Sequence, residues 1–281
     1  MNATPLVFIT GASSGIGQAL AARYAREGWR LALVARRTDL IETWARDLGL
    51  DPGIWRAYPA DVADIDAIVA AGHAATLAQG LPDVVIANAG ISVGIDTAYR
   101  EDLDHMARTY ATNNVGLAAT FHPFIEPMRS RGRGTLVGIA SVAGIRGLPG
   151  HGAYCASKAA VISYCESLRA ELRGTGLRVV TISPGYVATP LTARNRYPMP
   201  LPAGRCVRSP PARATGSFPG PWPSSRRSCA SSPAPGSNVP SRGSPESGDM
   251  SRAEAHCQPF ARAPADGQAC PVELLAPEAS K

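Results

Sequence analysis

The sequence predicts an α/β protein built on a doubly wound parallel sheet, followed by an irregular C-terminal tail. Three observations carry that expectation. Short, nearly continuous apolar runs alternate with longer amphipathic ones from residue 6 to residue 183. A glycine-rich turn, Thr10-Gly11-Ala12-Ser13-Ser14-Gly15-Ile16-Gly17, stands at the first strand-to-helix junction. The alternation then stops abruptly at Pro198. Strands that are apolar throughout are buried on both faces, so helices must cover both sides of the sheet. Right-handed crossovers wind such a chain in two directions and place the ligand crevice at the carboxyl ends of the strands.

The elements follow in order. Residues 6–9 read as a buried strand, and 15–28 as a helix with Ile16, Leu20 and Tyr24 at helical spacing and Gly28 as its stop. A second strand spans 31–35 and a second helix 39–48; a third strand spans 55–60 and a third helix 64–79. The fourth strand, 84–87, leads into one long helix over about 101–126. Strand 135–140, helix 152–173 and strand 177–183 complete the pattern. Residues 1–197 therefore form one domain.

Residues 198–281 read differently. They hold 16 of the 25 prolines and 13 serines, with no isoleucine and no tyrosine. Prolines this frequent interrupt helices and central strands, and isolated apolar residues cannot offset the entropy of ordering. The tail is either a natural disordered extension or GC-rich DNA translated out of frame, and the abruptness of the change favours the second. No strand pattern is visible in it.

Composition narrows the function class. The formal charge of +6 rests on 26 Arg and 2 Lys and is spread evenly, 19 basic against 16 acidic residues before Pro198 and 9 against 6 after it. No dense basic run marks a nucleic-acid surface. The six cysteines show no metal-ligand spacing, so no metal is expected and reduced thiols are the simplest reading. No stretch approaches the ~20 apolar residues of a membrane helix. The apolar run 6–9 is too short for a signal peptide, so a cytoplasmic protein is expected.

The residues that carry chemistry fall at strand ends. Gly11, Gly15 and Gly17 let the backbone turn tightly against a pyrophosphate, with Ser13, Ser14 and Ile16 at the helix N-terminus. The second strand ends in Arg36-Arg37, where an acid would select NAD; two guanidiniums there suit a 2′-phosphate, so NADP(H) is favoured and NAD(H) is the alternative. Asp61-Val62 ends the third strand, where Asp61 either contacts adenine or caps the next helix. Asn88-Ala89-Gly90 ends the fourth; its small residues leave room for a cofactor, and the Asn side chain is suited to tying strands together. Tyr154 and Lys158 lie four apart on one helix and share a face. Lys158 is the only lysine before the terminal Lys281. Bringing a phenol from about 10 to about 7 takes roughly 4 kcal/mol, about what an ammonium some 4 Å away supplies in an intermediate dielectric. Ser141, ending the fifth strand, can donate a hydrogen bond to a substrate oxygen.

These motifs, together with Asn113 and Pro184-Gly185, stand in the order and spacing of the classical short-chain dehydrogenases/reductases, and residues 5–197 resemble that family. The resemblance implies a Rossmann fold and an oxidoreductase that interconverts a small carbonyl and a secondary alcohol. It implies Tyr154 as general acid/base, Lys158 as the group that lowers its pKa and binds the nicotinamide ribose, and Ser141 as the orienting hydroxyl. Asn113, three before Gly116, matches the residue that holds a water in a proton relay; Asn114 is the weaker match. Pro184, Gly185, Val187 and Thr189 resemble the loop on the nicotinamide side. Extended epimerases share the Tyr-x-x-x-Lys pair, but the glycine spacing counts against them. Family members continue with a substrate lid, a helix and a seventh strand that helps build the subunit interface. Residues 198–281 show no such pattern, which leaves the core helices as the surface for a homo-oligomer.

Overall fold

Strand β1 (Leu6–Thr10) is buried along its whole length, and its alternating side chains feed two different cores. Leu6 and Phe8 point to one face of the sheet, Val7 and Ile9 to the other. That pattern makes a central strand covered on both sides, as the unbroken apolar run requires. The computed structural model describes residues 4–193 and the backbone of a short strand at 206–208.

Around β1 the chain adds α1 (Gly15–Arg26), β2 (Arg30–Ala35), α2 (Thr38–Asp47) and β3 (Trp55–Pro59), then α3 (Ile65–Gln79) and β4 (Val84–Ala87). It continues through α4 (Asp102–Tyr110), α5 (Gly116–Arg131), β5 (Gly134–Ile139), α6 (Gly152–Glu171), β6 (Leu177–Pro184), a single helical turn α7 (Pro190–Ala193) and β7 (Cys206–Arg208). The sheet order is β3-β2-β1-β4-β5-β6-β7, with β1 to β6 all parallel. The direction of winding reverses between β1 and β4, where a doubly wound sheet opens its ligand crevice.

One core joins α3, α5 and α6 to the sheet through Ile68, Phe121, Phe124, Met128 and Val161, with Phe8 and Phe124 ring centroids 4.8 Å apart. The other seats α1 and α2 through Leu20, Tyr24, Ile41 and Trp44. Burial of each such side chain contributes about 1.5–3 kcal/mol. Among the described residues no helix is long and apolar enough to cross a membrane.

The structure corrects two expectations. The single helix expected over 101–126 is two helices joined by a π-helical turn, Ala111–Val115, and the second runs on to Arg131, where Gly132 stops it with φ 71°. Pro123 and Pro127 lie inside α5 and would ordinarily break it. Burial of Phe124 and Met128 in the sheet core, and of Pro123 against α3, carries the helix past both. α5 meets α3 so closely that a Cβ on Gly72 would stand 2.6 Å from Pro123 Cγ.

The second correction is β7. The tail offered no strand pattern, yet Cys206–Arg208 pairs antiparallel with the end of β6, from Ile182 opposite Arg208 to Pro184 opposite Cys206. Three residues are too few to show a period, and the open edge of β6 supplies the pairing groups. The rest of the expected irregular tail, 198–281, lies outside the described residues.

Candidate active site

The glycine-rich turn leaves the carboxyl end of β1 and enters α1. Gly11 adopts φ 69°, a conformation that side chains resist, and a Cβ there would meet Ala89 Cα at 2.8 Å. The turn is thereby pressed onto the end of β4. Asn88 fastens it: Nδ2 donates to the Thr10 carbonyl at 3.0 Å and to the Gly11 carbonyl at 3.3 Å. Thr10 Oγ1 accepts from the amides of Asn88 and Ala89 in return. Asn88 thus ties strands together. Gly17 does not line the cleft; a Cβ there would fall 2.3 Å from the Gly11 carbonyl, so its smallness serves the packing of the turn. The N-cap of α1, Ser14, makes no side-chain capping bond, and no acid occupies the first turn. The first amides of α1 are therefore free of side-chain caps at the cleft wall, as an anion site requires.

At the ends of β2 and β3, Arg36 Nη1 stands 3.6 Å from Asp61 Oδ2, with both side chains substantially exposed. Asp61 Oδ1 accepts from the Ala63 amide at 3.0 Å. The capping alternative for Asp61 falls to another residue: Asp64 caps α3, accepting from the Ala67 amide at 3.0 Å.

The end of the cleft that bears Ser141, Tyr154 and Lys158 is buried. Ser141 follows β5, and its Oγ accepts from the Ala143 amide at 3.1 Å. Lys158 lies one turn after Tyr154 on α6, is 5% exposed, and donates from Nζ to the Ile139 carbonyl at 2.8 Å. Its Nζ is 5.9 Å from the centre of the Tyr154 ring. Burial pushes the Lys158 ammonium down to about 8. Burial also pushes the Tyr154 hydroxyl above its usual value, more than the neighbouring Ser141 hydroxyl pulls it down. At Tyr154 burial outweighs any lowering by Lys158, whose ammonium donates to the Ile139 carbonyl.

Asn113, 1% exposed within the π-helical turn, uses its whole amide. Oδ1 accepts from the Ile91 amide at 2.8 Å; Nδ2 donates to the Ile91 carbonyl at 3.0 Å and to Ser157 Oγ at 2.9 Å. Ser157 in turn donates to the Tyr154 carbonyl at 2.8 Å. Asn114 bonds instead to the Ser157 carbonyl. Gly90 lies between Asn113 and Lys158: a Cβ on it would be 3.2 Å from Asn113 Oδ1 and 3.5 Å from Lys158 Nζ.

One cleft of about 330 Å³ gathers Gly11, Ser13, Ser14, Gly15, Ile16, Arg36, Arg37, Asp61, Val62, Asn88, Ala89 and Gly90 with Ser141, Tyr154, Lys158, Pro184, Gly185, Val187 and Thr189. Gly17 and Asn113 stand behind its wall. Sequence reasoning missed Ile91, Arg108, Thr112 and the α7 residues Pro190, Leu191 and Thr192, which line it too. The four-residue spacing of Arg108 and Thr112 was the available signal.

Comparisons with known proteins agree with this geometry. The family described as short chain dehydrogenase matches residues 5–199. An uncharacterized oxidoreductase of Myxococcus xanthus (strain DK1622) is 42% identical over 194 residues, 69% of this chain and 76% of that protein. Among solved structures, the closed form of serine dehydrogenase complexed with NADP+ aligns with a TM-score of 0.62 at 28% identity, covering 66% of this chain and 75% of that one. A short-chain dehydrogenase/reductase from Burkholderia phymatum in complex with NAD aligns with a TM-score of 0.63 at 28% identity, covering 68% of each chain.

Proposed function

The chain belongs to the short-chain dehydrogenases, and on that premise we propose an NADP(H)-dependent oxidoreductase that interconverts a carbonyl and a secondary alcohol. The observation that carries this reading is the meeting of Ser141, Tyr154 and Lys158 with the glycine-rich turn and an arginine pair in one cleft. The residues fit a dinucleotide. The uncapped N-terminus of α1, with Gly11 and Ser13 to Ile16, suits the diphosphate; Arg36 and Arg37 suit a 2′-phosphate; Asp61 and Val62 border the adenine. Asn88, Ala89 and Gly90 form one wall of the nicotinamide side, and Pro184, Gly185, Val187 and Thr189 the other. When bound, the nicotinamide supplies or accepts the hydride.

The protein's own part is proton transfer and orientation. Ser141 donates a hydrogen bond to the substrate oxygen. Tyr154, kept protonated near neutrality by its burial, gives its proton to that oxygen in reduction and takes one back in oxidation. Lys158 contributes positive charge beside the ribose, and Asn113 holds the segment through which a relay water would connect to Lys158. Wild-type protein mixed with NADPH and a panel of aldehydes and ketones should consume NADPH. Tyr154→Phe should lower turnover by about 10²–10⁴-fold while binding NADPH as before. A phenylalanine variant that keeps its rate at neutral pH would show that another group moves the proton.

One observation favours a second reading. The family match ends at residue 199, beside the compositional break at Pro198. A reading frame shifted near codon 197 would leave residues 1–197 as the dinucleotide domain and 198–281 as unrelated sequence, with catalysis impaired. Translating the coding DNA in its other two frames tests this. Restored strand and helix periodicity supports the shift, and stop-rich or patternless frames refute it.

A further inference from the structure

The cleft carries more positive charge than the assignments above use. Its charged lining is Arg36, Arg37, Arg108 and Lys158 against one carboxylate, Asp61. Arg36 pairs with Asp61, and Lys158 donates to the Ile139 carbonyl. Arg37 is already assigned to the 2′-phosphate. Arg108 remains, with no ion pair among the described residues.

Its own helix offers it a partner that it does not take. Asp104 stands one turn earlier on α4, at the spacing where opposite charges pair. Asp104 instead accepts from Arg100 at 3.2 Å. Arg108 lines the cleft together with Thr112, one turn further on. The segment that bears it is fixed at both sides. Thr109 is fully buried and bonded to the His105 carbonyl, while Asn113 is locked to Ile91 and Ser157. An exposed guanidinium that lines a cationic cleft from a fixed stretch of helix, without an acid of its own among the described residues, offers a fork of donors suited to paired anionic oxygens of a ligand.

We propose that Arg108 binds an anionic group of a ligand in this cleft. The proposal rests on the dinucleotide reading, and two sources supply such a group: the phosphates of the cofactor, or an acidic substituent on the carbonyl substrate. The test uses the full chain and the variants Arg108→Gln and Arg108→Lys, with melting temperatures compared to confirm folding. Fluorescence titration gives Kd for NADH and NADPH; calorimetry on the NADP+ complex gives Kd for 4-carboxybenzaldehyde and benzaldehyde. Arg108→Gln should weaken one anionic ligand about tenfold, the scale of one charge-assisted hydrogen bond, and Arg108→Lys should restore part of it.

Loss with both dinucleotides assigns the diphosphate, and loss with NADPH alone the 2′-phosphate. Loss with 4-carboxybenzaldehyde but not benzaldehyde assigns an acidic substrate group. Changes below about twofold on all four ligands, no more than a solvated surface charge produces, overturn the proposal. Equal losses with both aldehydes and unchanged dinucleotide affinity overturn it as well. If the wild-type protein binds neither dinucleotide, the cofactor reading falls and takes this proposal with it. Normal dinucleotide binding with an inert Arg108→Gln sinks this proposal alone.

Discussion

The two ends of the cleft are held by different physics. At the adenosine end, Arg36 and Asp61 meet at 3.6 Å with side chains 57% and 43% exposed, so water and salt screen what they do. At the end that bears Tyr154, Asn113 and Lys158 are buried and engage backbone carbonyls, an amide and Ser157 with their polar atoms. Changes at the first end should alter affinity with little effect on folding. Changes at the second should alter folding and chemistry together, because the same hydrogen bonds serve both.

The loss of turnover in Tyr154→Phe is the largest effect this contrast predicts, and four further variants sharpen it. Asn113→Leu strands the Ile91 amide, the Ile91 carbonyl and Ser157; at about 1–3 kcal/mol for each buried unpaired group, a loss near 4 kcal/mol is expected in urea unfolding. A loss below about 1 kcal/mol would mean that the amide is dispensable to the fold.

Lys158→Met tests the buried charge. The folded pKa of about 8 lies below the unfolded value of 10.5, so the unfolded chain binds more protons between those two pH values. The stability of the wild type relative to Lys158→Met should therefore climb through that window by about 3 kcal/mol, a difference in which the raised Cys165 and tyrosine groups shared by both proteins cancel. Parallel pH profiles for the two proteins would contradict the burial of the ammonium.

At the other end, Arg36→Ala combined with Arg37→Ala should weaken NADPH about ten- to a hundredfold, leave NADH unchanged and keep the melting temperature. Equal wild-type affinity for the two cofactors would remove the basis of the NADP assignment. Smallest of all, Asp61→Asn should change stability by less than about 1 kcal/mol, and the difference should vanish in about 1 M salt. A larger, salt-resistant loss would show that this end is as rigid as the other.

Much of this architecture was legible in the sequence because its signals are local. Strands buried on both faces write themselves as unbroken apolar runs, so β1 to β6 fall within a residue or two of their expected places. The cleft was legible for a related reason: turn and strand-end motifs such as Thr10 to Gly17 and Asn88 to Gly90 must converge once the strands are parallel. What escaped depends on partners distant in sequence. The π-helical turn is a one-residue shift in backbone bonding, which leaves no mark in composition. Nothing near Lys158 in sequence announces that Ile139 will claim its ammonium. Asp61 and Asp64 look alike as caps, and only the position of the Ala67 amide decides between them. β7 borrows its existence from the edge of β6.

The contact between Gly72 and Pro123 imposes an order on change. With 2.6 Å between a would-be Cβ and the proline ring, any side chain at residue 72 collides with α5 while residue 123 remains proline. Exchanging Pro123 for alanine removes the ring carbon at 2.6 Å and leaves the residue-123 Cβ and Phe124 Cζ each at 3.2 Å, which Gly72→Ala meets with a small shift; a change that begins at residue 72 meets the full clash. Gly72→Ala should therefore cost less stability in a Pro123→Ala background than in the wild type. A library that randomises both should recover alanine at residue 72 only where the proline at residue 123 has gone.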